Sequence, residues 1–224
     1  MPSQSEGQVA MVAGATGLVG RALVAQLCTS PRYMRVVAIT RRPLESAPDE
    51  LEARQVDFSR LEEADPGRVD VAFCALGTTI AAAGSHEAFR RVDHDYTLAF
   101  ARFVLRGGAR RFVLVSSVGA EPASGNFYLR VKGEVEAAVR ALPFDAIAIL
   151  RPGLLLGDRR ESRPAEAVAR AVAPLLNPLL VGPLAKYRAV GAGRVAAAMV
   201  ALAEDARAGV SVLDVCQIER LAGP

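Results

Sequence analysis

Near its start the chain reads Val9-Ala-Met-Val-Ala-Gly14-Ala-Thr-Gly17-Leu-Val-Gly20-Arg-Ala-Leu23, an apolar run followed by spaced glycines and then an apolar helical pattern. In a strand–turn–helix unit of this kind, Gly14 permits a tight turn, Gly17 lets the backbone approach a pyrophosphate, and Gly20 lets helix and strand pack closely. The free N–H groups at the helix N-terminus favour the anion. We therefore predict dinucleotide binding here, with cofactor contacts from Gly14, Thr16, Gly17, Leu18, Val19 and Gly20.

Outward from this turn, short β-branched runs alternate with longer helical patterns, which is typical of βαβ units and a parallel sheet. We predict strands at Val9–Ala13, Arg35–Thr40, Arg54–Asp57, Val69–Ala75, Arg111–Ser116, Ala146–Leu150 and Gly209–Cys216. We predict helices at Leu18–Leu27, Glu87–Leu105, Phe127–Leu142 and Gly193–Ala203. Prolines break the rhythm after Pro152, so residues 152–190 are interpreted as a substrate-side insert. The predicted fold is a single α/β domain over residues 1–224, a Rossmann-type doubly wound parallel sheet with an elaborated C-terminal third.

Composition limits the class of protein. The 224 residues include 27 basic and 24 acidic side chains and are 51% hydrophobic, which argues against disorder. The net charge of +3 comes without any long basic cluster, so we expect no nucleic-acid partner. No uninterrupted apolar run reaches the roughly 18 residues of a membrane span, so no integral membrane segment is expected. The N-terminus also lacks the positive charge of a secretory signal.

The cysteines and histidines predict neither a metal site nor disulfides. Cys28, Cys74 and Cys216 are far apart, and an odd, unclustered set is typical of reduced thiols, so we expect a cytoplasmic protein. His86 and His94 lack a partner at ligand spacing.

The end of the second predicted strand bears on cofactor choice. A site for NAD(H) places Asp or Glu there, on the ribose 2′-OH, whereas this chain has Thr40-Arg41-Arg42 and no carboxylate before Glu45. Two guanidiniums suit a 2′-phosphate, so Arg41 and Arg42 predict NADP(H); two solvated arginines in a turn are the alternative. Asp57 is predicted to accept a hydrogen bond from the adenine amino group, with a plain turn residue as the alternative.

Further motifs follow the later strands in a fixed order. They are Cys74-Ala-Leu-Gly77-Thr78-Thr79, Arg91-Val-Asp93, Ser116-Ser117-Val-Gly-Ala, Tyr128-Leu-Arg-Val-Lys132-Gly-Glu-Val-Glu and Leu150-Arg-Pro-Gly153-Leu-Leu-Leu-Gly157-Asp-Arg-Arg-Glu-Ser-Arg-Pro164. With the glycine turn, this ordered set resembles the short-chain dehydrogenase/reductase superfamily. More narrowly, it resembles the atypical NADPH-binding group that includes the HIV Tat-interacting-protein oxidoreductases and their bacterial relatives.

The resemblance implies a catalytic set of Ser117, Tyr128 and Lys132. The spacing itself shows that Tyr128 and Lys132, at i and i+4, share one helix face. By resemblance, Tyr128 is the acid–base, Lys132 lowers its pKa and holds the nicotinamide ribose, and Ser117 binds the substrate oxygen, with Ser116 as the second candidate. A phenol needs such help because its unperturbed pKa is about 10.

Five more residues complete the predicted site. Leu76, Gly77 and Thr78 are expected beside the cofactor ribose, with an ordinary strand-end turn as the alternative, and Pro152 is expected to contact the cofactor. Asp93 stands where many members of the superfamily carry an Asn that supports a proton-relay water. A carboxylate accepts from such a water but cannot donate as an amide does, so we expect a relay that is rewired or absent.

The leading functional prediction is an NADP(H)-dependent oxidoreductase of a small carbonyl or alcohol substrate, with a Ser-Tyr-Lys site. The alternative is an NADP(H)-binding regulatory or interaction protein with little or no catalysis. An epimerase with tightly bound NAD is disfavoured by the short C-terminal third and by Arg41 and Arg42. The resemblance also implies a homodimer through the helices of Glu87 and Tyr128, and leaves open a protein partner.

Overall fold

Parallel strands form the centre of the computed structural model, which describes residues 7–44, 48–157, 187–205 and 207–223. In that part of the chain the strands are β1 (Gln8–Ala13), β2 (Tyr33–Thr40), β3 (Leu51–Gln55), β4 (Val71–Cys74), β5 (Arg111–Val115), β6 (Ala146–Leu150), β7 (Leu155–Leu156), β8 (Val190–Gly191) and β9 (Gly209–Leu213). Seven of them make one sheet in the order β3-β2-β1-β4-β5-β6-β9, and β7 pairs with β8. The strand order reverses between β1 and β4, which is where such sheets bind nucleotides.

Helices cover both faces of this sheet. They are α1 (Leu18–Thr29), α2 (Ile80–Ala83), α3 (His86–Arg90), α4 (Thr97–Arg106), α5 (Phe127–Arg140), α6 (Ala192–Glu204) and α7 (Val215–Leu221). A π-helical segment, Arg91–Tyr96, joins α3 to α4, and a 3₁₀ turn covers Phe58–Arg60. One core lies under α1, α6 and α7, and the other lies under α4 and α5. The predicted doubly wound parallel sheet is confirmed.

The alternation of side chains along β1 explains the two cores. Ala10 and Val12 pack into the core beneath α1, whereas Val9, Met11 and Ala13 pack into the core beneath α4 and α5. Successive residues of a strand point to opposite faces, so a central strand covered on both sides must be apolar throughout. The continuous apolar run before Gly14 is therefore the sequence signature of the middle of the sheet.

Most predicted elements end within two residues of the observed ones, and two strands need correction. The predicted strand Arg54–Asp57 is β3, which begins at Leu51 and ends at Gln55 because Asp57 caps the following 3₁₀ turn. The predicted strand Gly209–Cys216 ends at Leu213, because Asp214 forms a capping box with Gln217 and starts α7.

Other features of the chain were not anticipated or are not described. The helices α2 and α7 have no counterpart in the sequence prediction, and the predicted helix Glu87–Leu105 is divided into α3, the π-helical segment and α4. The predicted insert over residues 152–190 lies largely outside the described residues, since 158–186 are not described, as does Glu45. No helix of the described ranges has the length and apolarity that crossing a bilayer requires.

Candidate active site

The glycine turn lies at the carboxyl end of β1, beside the end of β4. Gly14 has a φ of 88°, and a Cβ built on it would lie 2.4 Å from the carbonyl oxygen of Ala75. A Cβ on Gly20 would lie 2.0 Å from the carbonyl oxygen of Gly14. Real side chains do not fit at such distances, so the fold itself requires both glycines.

The fold tolerates a side chain at Gly17 better than at Gly14 or Gly20. A Cβ there would meet the Gly14 carbonyl oxygen at 3.3 Å, a tight contact that a small shift relieves. Gly17 is the N-cap of α1 and provides no side-chain hydrogen bond to that N-terminus. The turn therefore offers free helical N–H groups and an approach open to a ligand, which fits a pyrophosphate.

The neighbours of these glycines differ in what they offer a ligand. Thr16 is exposed, and its carbonyl accepts a hydrogen bond from Arg21 Nη1 at 2.9 Å. Leu18 is half-buried, whereas the side chain of Val19 packs into the core. A cofactor contact from Val19 therefore has to use its backbone N–H, which stands in the first turn of α1.

At the other side of this edge, Arg41 and Arg42 directly follow β2, and both are exposed. Within the described ranges neither guanidinium has an ion-pair partner. The carbonyl of Arg41 accepts from Gln55 Nε2 at 3.4 Å, which ties the turn to the end of β3. Both guanidiniums are therefore available to bind an anion. Their exposure is equally consistent with the alternative of two solvated arginines in a turn.

Asp57 makes contacts of its own at this end. Its Oδ1 accepts from the backbone N of Ser59 at 2.9 Å and from the Ser59 hydroxyl at 2.6 Å. These two hydrogen bonds hold the pKa of the Asp57 carboxyl below its usual value. Asp57 therefore acts as a turn residue, the alternative given in the sequence analysis. The predicted contact with adenine stays a prediction.

The turn after β4 leads to the opposite end of the site. The backbone N of Thr78 donates to Asp93 Oδ2 at 2.9 Å, and half-buried Leu76 packs against the core beneath α4 and α5. A Cβ on Gly77 would lie 3.6 Å from Asp93 Oδ1 and 3.7 Å from Lys132 Nζ. The predicted ribose turn is therefore hydrogen-bonded to Asp93 and passes close to the ammonium group of Lys132.

Lys132 forms a buried ion pair with Asp93. Lys132 Nζ lies 2.7 Å from Asp93 Oδ1, and the side chains are 7% and 0% exposed. Burial favours the neutral amine, but the negative charge of Asp93, which also hydrogen-bonds the amine, outweighs it and raises the pKa of Lys132. Lys132 is therefore an ammonium at neutral pH, as the predicted role requires.

The π-helical segment places Asp93 in this pair. Each π turn contains one residue more than an α turn, and such segments occur often at functional sites. Asp93 replaces the Asn that supports a relay water in many members of the superfamily, and in the structure its two oxygens contact Lys132 Nζ and the backbone N of Thr78. The departure from Asn thus has a physical consequence, a fixed negative charge beside the lysine.

Tyr128 lies in the first turn of α5. Asn126 starts this helix, its Oδ1 accepting from the backbone N of Leu129 at 3.2 Å. The half-buried ring of Tyr128 packs against Phe89, with 5.4 Å between ring centroids. Tyr128 and Lys132 both lie on α5, four residues apart, so they share one face of this helix as their spacing predicted.

The two serines after β5 have different surroundings. The half-buried hydroxyl of Ser117 has a single long contact in the described chain, 3.4 Å to the carbonyl of Val118. The buried hydroxyl of Ser116 donates to Glu136 Oε1 at 2.6 Å. Ser116 is therefore engaged elsewhere, which leaves Ser117 as the serine available to a substrate. Pro152 is buried next to it, and its carbonyl accepts from the N of Val118 at 3.0 Å.

Sequence reasoning missed two features of this site. The pairing of Asp93 with Lys132 joins residues of different helices, and nothing in the local sequence indicated it. Glu136, a buried acid one turn beyond Lys132, was quoted in a motif but given no role. Its signal was available, since Tyr128, Lys132 and Glu136 recur every four residues and so share a helix face.

The chain is similar to known proteins over more than two thirds of its length. A family model described as NAD(P)H-binding matches residues 14–176. Protein HTATIP2 of Rattus norvegicus is 44% identical over 164 residues, covering 71% of this chain and 67% of that protein. Protein fmp52, mitochondrial, of Emericella nidulans is 39% identical over 175 residues, covering 73% of this chain and 74% of that protein.

The sheet also resembles solved structures. MoeE5 in complex with UDP-glucose and NAD superposes with a TM-score of 0.69 at 20% identity, covering 93% of this chain and 76% of that one. At that identity the likeness concerns the fold alone. It agrees with the doubly wound parallel sheet described above.

Proposed function

Because the chain belongs to the NAD(P)H-binding family, in an atypical short-chain dehydrogenase/reductase group, we propose that it is an NADP(H)-dependent oxidoreductase interconverting a small carbonyl compound and its alcohol. The observation that carries this proposal is the buried ammonium of Lys132, held by Asp93 beside Tyr128. A phenol next to a fixed cation is what proton transfer to a carbonyl oxygen at neutral pH requires.

The cofactor would be held along the edge where β1 and β4 separate. The turn from Gly14 to Gly20 would bind the pyrophosphate, and the ribose and nicotinamide would lie against Leu76–Thr78 and Pro152. When bound, the cofactor supplies the hydride, and the protein supplies orientation and the proton. The fit rests on the open N-terminus of α1 and on the exposed backbone of Gly77 near Lys132.

The residues of the chain divide the acid–base work. In the reducing direction Tyr128 gives its phenolic proton to the substrate oxygen, to which the Ser117 hydroxyl donates a hydrogen bond. The ammonium of Lys132 stabilises the phenolate that Tyr128 becomes. Asp93 keeps Lys132 charged and in place, so the positive charge of Lys132 stays beside the phenol.

We propose NADP(H) rather than NAD(H) because of the charge after β2. A charge-assisted hydrogen bond contributes about 1.5–3 kcal/mol, enough for a preference of tenfold or more. Arg41 and Arg42 are exposed and have no partner among the described residues, so a 2′-phosphate breaks no existing ion pair. The homodimer, the cytoplasmic location and a protein partner stay predictions from the sequence.

The test begins with the purified wild-type protein. Calorimetric titration with NADPH and NADH should give at least about tenfold tighter binding of NADPH. A panel of aldehydes and ketones should then contain a compound that oxidises NADPH in a protein-dependent way. Equal affinity for the two nucleotides would contradict the cofactor assignment. NADPH binding without any carbonyl reduction would favour the regulatory role.

A further inference from the structure

We propose that Glu136 is a positioning residue, whose buried carboxylate fixes the strand end that carries Ser117 against the helix that carries Tyr128 and Lys132. This inference rests on the proposed function for the identity of those three residues. It assigns a role to the back of the site, away from the cofactor.

The Glu136 carboxylate is enclosed by hydrogen bonds. Its residue is 1% exposed. Oε1 accepts from Ser116 Oγ at 2.6 Å and from Arg151 Nε at 2.9 Å, and Oε2 accepts from Arg151 Nη2 at 2.6 Å and from Arg140 Nη2 at 2.8 Å. The bidentate contact with Arg151 fixes the orientation of the carboxylate as well as its charge.

These contacts join three elements of the fold. Ser116 follows β5 and directly precedes Ser117, while Arg151 follows β6 and directly precedes Pro152. Glu136 itself stands on α5, one turn beyond Lys132. The carboxylate therefore sets the distance between the end of β5 and the face of α5 on which the proposed acid–base group lies.

A second attachment holds the far side of the same loop. The N of Glu121 donates to the carbonyl of Leu129 at 3.1 Å, in the first part of α5. The loop then crosses α5 at Gly133, where a Cβ would lie 2.3 Å from the backbone of Glu121 and Pro122. The segment with Ser117 is thus held at one end by Glu136 and at the other by the backbone of α5.

Arg140 provides a built-in contrast with Ser116. Both donate a hydrogen bond to the same carboxylate. Arg140 lies on α5, at i+4 from Glu136, so its contact joins no second element to the helix. If Glu136 merely needs its charge and hydrogen bonds satisfied, Arg140 and Ser116 matter alike. If it positions Ser117, only the contact from Ser116 affects the loop.

The experiment compares Ser116→Ala with Arg140→Gln as the matched control. In the NADPH-bound protein, backbone amide exchange at Val118 and Ala120 should be at least about tenfold faster in Ser116→Ala, the size expected when one ordering hydrogen bond is lost. Exchange within β1 and β4 should be unchanged. Arg140→Gln should exchange like the wild type at all of these positions.

Kinetics provide the second readout. With a reducible carbonyl, kcat of Ser116→Ala should fall about tenfold, while KM and the Kd of NADPH stay within about twofold, because misplaced alignment lowers the rate more than binding. Equal exchange and equal kcat in the two variants would overturn the positioning role. A wild-type protein that reduces no carbonyl would overturn the proposed reductase, and amide exchange would then decide the role of Glu136 alone.

Discussion

The two ends of the proposed cofactor site hold their charges in opposite ways. At the adenosine end, Arg41 and Arg42 are exposed and have no ion-pair partner in the described chain. At the nicotinamide end, Lys132 and Asp93 are buried and paired at 2.7 Å. The positive charges at the first end are available to a negatively charged group of a ligand. At the second end, the charge of Lys132 is already balanced by Asp93 without a ligand.

This difference separates recognition from chemistry. Exposed arginines cost the fold little, so they are free to select a ligand by its charge. A buried ion pair is costly to desolvate and stays stable only with both partners in place, so changing one of them disturbs the fold as well as the site. Variants at the adenosine end should therefore alter affinity alone, and variants at the nicotinamide end should alter stability and rate.

The largest effect is expected at the turn between the two ends. Gly17→Glu should reduce NADPH binding below detection while leaving the protein folded, because the carboxylate occupies the space of the pyrophosphate and repels its charge. Calorimetry and circular dichroism measure the two outcomes. Gly17→Ala is the control, since its Cβ would meet the carbonyl oxygens of Gly14 at 3.3 Å and of Ala75 at 3.9 Å, which small shifts relieve. Tight NADPH binding by folded Gly17→Glu would place the nucleotide elsewhere.

The next effect tests whether the nicotinamide end is balanced internally. Asp93→Asn should lower the free energy of unfolding by about 3–5 kcal/mol at neutral pH, because it leaves the Lys132 ammonium buried without its partner. Urea unfolding of the wild type and the variant measures this difference. An unchanged free energy of unfolding would mean that the pair contributes nothing to the fold.

Asp93→Asn should also reverse the way in which the free energy of unfolding depends on pH. In the wild type the pKa of Lys132 is raised, so its stabilisation is complete below the unfolded value and is lost only as pH rises through the folded one. In Asp93→Asn, burial acts without Asp93 and lowers that pKa, so stability should increase as pH rises from about 7 to about 9.5. Cys74, whose pKa burial raises to about 11, stays protonated in this window. Parallel pH profiles for the two proteins would contradict this assignment.

A smaller effect is expected at the adenosine end. Arg41→Glu should reduce the preference for NADPH over NADH by about tenfold or more, with unfolding unchanged, because an exposed charge-assisted contact contributes about 1.5–3 kcal/mol to binding. The matched control is Arg32→Glu, which makes the same charge change at the other end of β2. If Arg32→Glu weakens NADPH binding equally, overall charge rather than local recognition sets the preference.

The smallest effect distinguishes the two interpretations of Asp57. If Asp57 only caps the turn at Ser59, Asp57→Asn should leave the Kd of NADPH within about twofold, as is usual for exposed substitutions. Calorimetry on this variant decides between them. A loss of affinity for NADPH and NADH alike would restore the adenine contact, because adenine is common to both nucleotides.

Local sequence patterns predicted the features that depend only on residues close together in the sequence. The turn at Gly14 follows from a glycine pattern, and the meeting of Tyr128 with Lys132 follows from helical spacing. The pairing of Asp93 with Lys132 depends on a π-helical segment, which turns the side chains after it to a different side of the helix. A prediction from α-helical spacing does not include this change. The partners of Glu136 come from two strand ends, so the packed fold was needed to bring them together.

Elsewhere the sequence carried a signal that a competing one masked. Asp214 and Gln217 have the spacing of a capping box, yet the apolar residues around them suggested that the last strand continues. The predicted strand Arg54–Asp57 ends two residues early, because the Asp57 side chain accepts two hydrogen bonds from Ser59 and caps the 3₁₀ turn. Both errors concern strand ends, where a short polar side chain decides between strand and turn.

In the proposed mechanism Tyr128 donates the proton beside the Lys132 cation, and Tyr128→Phe tests that role. The variant keeps the ring that packs on Phe89, so folding and the Kd of NADPH should be preserved. Turnover of a carbonyl that the wild type reduces should fall by about 10²–10⁴-fold, the usual contribution of a general acid. A Tyr128→Phe protein that reduces the same carbonyl as fast as the wild type would contradict the account.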